Sequence, residues 1–96
     1  MDREKINSSL VQAILSLKTL EECENFFGDI CSTDELKKIA NRFEVAILLC
    51  EGATYREILE SSKTSNATIS RIKSAMMKEG SILKEVINGI LQKDAN

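Results

Sequence analysis

The 96-residue chain has no histidine, no proline and no tryptophan, and only four glycines, three cysteines and one tyrosine. Each shortage removes a class of chemistry. Without histidine, neither a Ser-His-Asp nor a Cys-His nucleophile can be assembled. Cys23, Cys31 and Cys50 are odd in number, show no Cys-x-x-Cys spacing and have no histidine to complete a zinc set, so no metal is expected. They read as small buried hydrophobes in a reducing compartment. The carboxylate pairs Glu21–Glu22 and Asp34–Glu35 stand at helix starts, where a cap or the helix dipole accounts for them. No catalytic constellation is left, and the expectation is a protein that is not an enzyme and carries no cofactor.

Long apolar runs are also missing. The longest, Val45 to Cys50, is too short to cross a bilayer. The start, Met1-Asp-Arg-Glu-Lys5, lacks the apolar region of a signal peptide. A cytoplasmic protein with no membrane contact is expected.

What the chain does have is helical periodicity almost throughout, which with no proline and little glycine predicts an all-α fold. Its length allows a single domain, residues 1–96, around one modest core. The first helix is expected from near Arg3 to Leu17, with Ile6, Leu10, Ala13, Ile14 and Leu17 as its apolar stripe and Val11 and Leu15 widening it. Thr19-Leu-Glu-Glu22 is a capping box that opens a second helix, Leu20 to about Ile30, in which Gly28 is read as allowing close helix approach. Ser32-Thr-Asp-Glu35 is another box and starts the longest helix, to about Glu51, whose last turns are apolar nearly all round. That helix should be the central buried element, with Gly52 ending it in the left-handed conformation. The last helix is expected from Ile82 to about Gln92, after the break Glu79-Gly-Ser81, with residues 93–96 as a frayed tail. The first and last helices are more apolar than a 96-residue monomer can cover, which points to a homodimer.

Between these elements lies the stretch that suggests a function. Thr54-Tyr-Arg-Glu57 is a third capping box, and Ile58 and Leu59 give the short helix after it an apolar side. Ser65 is an N-cap for a further helix in which Ile69, Ile72 and Met76 recur at helical spacing. Two helices joined by a tight turn over about residues 54–78 describe a helix-turn-helix. A plain helical hairpin would show the same caps and the same apolar side. Favouring the sharper reading is Asn66-Ala-Thr-Ile-Ser-Arg71, where short polar side chains occupy the first turn and a half, so that backbone N–H groups can approach a phosphate.

Charge is distributed in the same sense. The net charge is only −2, but residues 1–62 hold 7 basic and 12 acidic side chains while residues 63–96 hold 6 basic and 3 acidic. No Asp or Glu stands between Thr64 and Lys78. Lys63, Arg71 and Lys73 are the charged side chains expected to contact DNA phosphates.

The sequence resembles the Trp repressor superfamily, and within it the small YerC/YecD-type branch, over about Leu10 to Gln92. The shared phrases are Ala13-Ile-Leu-Ser-Leu-Lys-Thr-Leu-Glu-Glu-Cys-Glu-Asn-Phe-Phe27, Arg42-Phe-Glu-Val-Ala46 and Ala67-Thr-Ile-Ser-Arg71. The resemblance implies a six-helix fold in an intertwined homodimer, with helices one, two, three and six in a joint core and helices four and five as a DNA-reading head. It places the base-reading positions on Arg56, Asn66, Ala67 and Ser70, and a phosphate-binding threonine on Thr68. Such residues suit the task, since arginine can bond guanine bidentately and asparagine can pair with adenine. The family's corepressor pocket, two arginines over a glycine, is matched by Arg71, but Asn41 and Ile72 stand at the other two positions, so tryptophan is not the expected ligand. Lys63 also departs from the pattern, because helix-turn-helix proteins usually have glycine at that turn.

Two functions follow. The first is a dimeric, sequence-specific transcriptional regulator, a repressor, that binds double-stranded DNA. The alternative is a protein-interaction or assembly module that retains the fold without specific DNA binding, favoured by the acidic net charge and by Lys63.

Overall fold

A computed structural model describes residues 8–95, with side chains described to residue 92. Six helices follow one another: α1 (Ser8–Ser16), α2 (Leu20–Ile30), α3 (Thr33–Cys50), α4 (Tyr55–Ser61), α5 (Asn66–Met77) and α6 (Leu83–Ala95). No strand occurs among the described residues. The expected start of the first helix at Arg3, with Ile6 in its stripe, lies outside them. At the other end α6 continues to Ala95, three residues past the expected Gln92.

The helix starts are written in short-range hydrogen bonds. At α4 the capping box is complete: the Glu57 N–H donates to Thr54 Oγ1 at 3.1 Å, and the Thr54 N–H donates to Glu57 Oε1 at 2.9 Å. The same reciprocal pair forms between Ser32 and Glu35 at the start of α3. At α2 the Glu22 N–H donates to Thr19 Oγ1, but the Glu22 carboxylate accepts from the Lys18 N–H at 2.7 Å instead of from the cap residue. The box is shifted by one residue, and its effect on the orphan donors is the same. The end of α3 is a Schellman motif: Ala53 N–H to Leu48 O and Gly52 N–H to Leu49 O, with Gly52 at φ 87°.

The chain falls into two compact units, residues 1–36 and 37–96. In the first, no helix has a fully buried side chain among the described residues. The Phe26 and Phe27 rings meet edge to face, 5.3 Å between centroids. Gly28 was expected to allow close approach of another helix; a Cβ there would meet nothing within 4 Å among the described residues.

The second unit holds the core. Val45 and Ala46 of α3, Ile58 of α4, Ile69, Ile72 and Met76 of α5 and Ile87 of α6 are buried in one cluster. Phe43, Ile47, Leu48, Leu49 and Cys50 pack around it, so the last turns of α3 are the central element, as their all-round apolarity requires. All three cysteines are free and half-buried, less enclosed than expected.

Hydrogen bonding from the Thr54 backbone N–H, and after it from the Thr54 hydroxyl, lowers the Glu57 carboxyl below its ordinary value of 4.5. A depressed carboxylate adds stability that is complete above the ordinary value and disappears as pH falls through the lowered one. Glu57→Gln, which keeps the shape of the cap and removes the charge, is therefore expected to lower the unfolding free energy at neutral pH. In urea titrations the gap between wild type and variant should narrow as the pH is taken below 4.5. A gap of constant size down to acid pH would show that the ionised carboxylate is not part of the cap.

Candidate nucleic-acid interface

Where the helix-turn-helix is expected, the chain forms α4, a short turn and α5. Neither helix is long enough to be stable alone, so packing must hold them. Ile58 and Ile69 do this, each fully buried in the common cluster. The helix period then decides what faces outward. On α5 the residues Ile69, Ile72 and Met76 point into the core, which leaves Asn66, Ala67, Ser70 and Arg71 exposed and Thr68 half-buried at the edge. On α4 the buried Ile58 places Arg56, two residues earlier, on the far side, with its side chain 89% exposed.

The start of α5 is built for close approach. Ser65 caps it, accepting from the Thr68 N–H at 3.2 Å and donating through its hydroxyl to Thr68 Oγ1 at 3.1 Å. No acidic residue lies in its first turn. In the turn before it, the Ser62 C=O accepts from the Thr64 N–H at 3.0 Å, which closes a three-residue γ-turn centred on Lys63. The lysine is thus part of a hydrogen-bonded turn with an exposed side chain.

Three interactions were not foreseen from the sequence. Tyr55 joins the two helices: its hydroxyl lies 3.3 Å from Ser70 Oγ, and the Lys73 ammonium sits over its ring, 5.7 Å from the centroid. A residue taken as part of a capping box therefore positions one expected base reader and one expected phosphate contact. Its partners are fifteen and eighteen residues away, beyond any local pattern. Arg56 is also engaged, with Nε 3.4 Å from Glu60 Oε1 on the same exposed face of α4. Such a pair contributes at most about 1 kcal/mol and opens readily.

The remaining expected positions are placed as follows. Ile72 is in the core. Asn41 is half-buried on α3, and its neighbour Arg42 is exposed. No group of His, Cys, Asp and Glu able to hold a metal occurs among the described residues, and no helix is long and apolar enough to cross a membrane.

The split between buried and outward faces of α5 has a direct thermodynamic consequence. Ile69→Ala, beneath the helix, is expected to cost about 2–5 kcal/mol, whereas Ser70→Ala on its surface should stay within about 0.5 kcal/mol. Chemical denaturation of the two variants checks this, and equal losses would mean that α5 is rotated from the orientation described.

Comparison with known proteins agrees with this architecture. The family described as Trp repressor protein matches residues 6–91. A Bacillus subtilis (strain 168) protein described as uncharacterized protein YerC is 47% identical over 74 residues, which is 77% of this chain and 71% of that protein. A TrpR-like protein from Eubacterium eligens ATCC 27750, known from its crystal structure, is 41% identical and matches with a TM-score of 0.76 over 84% of each chain. The helix order, the two-helix head and these matches together place the chain in the Trp repressor family.

Proposed function

We propose that the chain is a sequence-specific DNA-binding transcriptional regulator, a repressor, which acts as a homodimer through α4 and α5. The observation that carries this reading is the outward face of α5: Asn66, Ala67 and Ser70 exposed at a capped, acid-free helix start, flanked by exposed Lys63, Arg71 and Lys73. In this reading Arg56, Asn66, Ala67 and Ser70 meet base edges in the major groove, and Lys63, Thr68, Arg71 and Lys73 hold phosphates. No catalysis and no cofactor enter. Free tryptophan is not the ligand in this reading, because the resemblance puts Ile72, a buried core residue, where the family's pocket has glycine.

The dimer is supported by apolar surface that one chain leaves uncovered. Val11, Ile14 and Leu15 on α1, and Val86 and Ile90 on α6, are exposed, Leu15 at 78%. We propose that residues 1–96 act as one domain, whose α1 and α6 faces pack against a second copy in an intertwined arrangement. The two-fold would then set two α5 helices in successive major grooves, about 34 Å apart.

The test is an oligonucleotide selection on the purified protein, followed by anisotropy on the selected duplex. An approximately palindromic site is expected. Six cations in the dimer, Lys63, Arg71 and Lys73 from each protomer, should give log K against log salt a slope of about −5. Arg56→Ala is expected to lower affinity by about 1–3 kcal/mol and relax selectivity at one base pair. No enriched site, with Arg56→Ala and Ser70→Ala indistinguishable from wild type on any duplex, would favour a protein-interaction module with the same fold. The dimer is tested separately by sedimentation. Leu15→Glu with Val86→Glu should yield monomers, and with them a loss of about 100-fold or more in duplex affinity, since two linked half-sites become one.

A further inference from the structure

A cleft of about 490 Å³ opens beside the recognition helix, on the side towards α3. One wall is the α3 stretch that carries Lys37, Lys38, Asn41 and Arg42. The other wall is Lys63 and Thr64 of the turn and Thr68 of α5. Four of these seven residues are cationic and none is acidic. None of the four cations has an ion pair among the described residues. Cations gathered in one concavity without a counter-charge repel one another, and an anion seated there relieves that repulsion.

The uncharged lining groups point to the same kind of ligand. Thr64 Oγ1 is buried and has no hydrogen-bond partner. Thr68 Oγ1 accepts from the Ser65 hydroxyl, so its own O–H remains to donate to an acceptor. Asn41 adds a half-buried carboxamide with two further donors. Hydroxyl, amide, ammonium and guanidinium donors around one space are the set that a tetrahedral, multiply charged oxyanion requires.

We propose that this cleft is a phosphate-binding seat, filled either by a backbone phosphate of bound DNA or by a free phosphorylated small molecule. Lys37, Lys38 and Arg42 thereby extend the binding surface from the helix-turn-helix onto α3. The duplex form of the proposal rests on the DNA-binding reading above, and the small-molecule form does not.

The experiment compares wild type with Lys37→Gln/Lys38→Gln, both exposed sites where glutamine is an equally good helix former. Lys84→Gln, outside the cleft, is the control. Two readouts are taken on the full chain: the salt slope of duplex binding, and the thermal shift caused by inorganic pyrophosphate. If DNA fills the seat, the double variant loses about one unit of slope per protomer and weakens on all sequences alike, while the control is less affected. If a free phosphorylated ligand fills it, pyrophosphate raises Tm in wild type and in the control but not in the double variant. Either result supports the seat. Sequence-selective, Arg56-dependent DNA binding with an unchanged slope in the double variant, and no variant-sensitive pyrophosphate shift, would overturn the seat and leave the regulator reading intact. A pyrophosphate shift lost in the double variant, in a protein that binds no duplex, would support the seat and remove the regulator reading. No binding of either kind would overturn both.

Discussion

Burial of Ile58 and Ile69 in one cluster is the constraint on which the candidate interface depends. The helices that carry them are seven and twelve residues long, short enough that neither would persist in water without that burial. Because successive helical residues turn by about 100°, fixing Ile69 inward places Ala67 nearly opposite, with Ser70 and then Asn66 both to one side of it. The outward set is thus a consequence of the inward one. Val45 and Ala46 complete the arrangement by giving both short helices the same wall on α3. A change in the core below α5 would therefore move the exposed side chains together, without touching any of them.

Charge and hydrogen bonding refine this placement at low cost. Tyr55 is half-buried, reaching Ser70 through its hydroxyl and Lys73 through its ring, so one side chain of α4 orients two of α5. The Arg56–Glu60 pair lies in solvent, where screening makes it weak. It holds the arginine near the surface of α4 without committing it. The overall charge of −2 is a poor guide here, because what a ligand meets is the acid-free stretch from Thr64 to Lys78 and not the sum over the chain.

Most of the secondary structure was legible in the sequence because its determinants are local. A threonine or serine three residues before a glutamate, as at Thr54 and Ser32, satisfies helix donors from within a single turn, and Gly52 supplies the positive φ that ends α3. Departures arose where something other than local pattern decides. Glu22 found the Lys18 N–H instead of its cap, α6 ran on to Ala95, and Gly28 faces open space. The arrangement around the site was less legible. Tyr55 with Ser70, and Lys38 with Lys63, are brought together by the fold across many residues of sequence, and no periodicity signals such pairs.

The apolar residues exposed on α1 and α6 bear on the proposed function as much as those buried beneath α5. All the fully buried side chains described lie in residues 37–96, while α1 displays Val11, Ile14 and Leu15 and α6 displays Val86 and Ile90. Scattered exposed aliphatics are ordinary, but stripes of them on two amphipathic helices of a small protein mark surface that another element covers. If that element is a second copy, the two-fold axis fixes the separation of the two α5 helices, and with it the half-site spacing a duplex must present. Selectivity for a target then has two sources of different kinds: the few side chains at the start of α5 choose bases, and the packing of α1 and α6 chooses the distance between them.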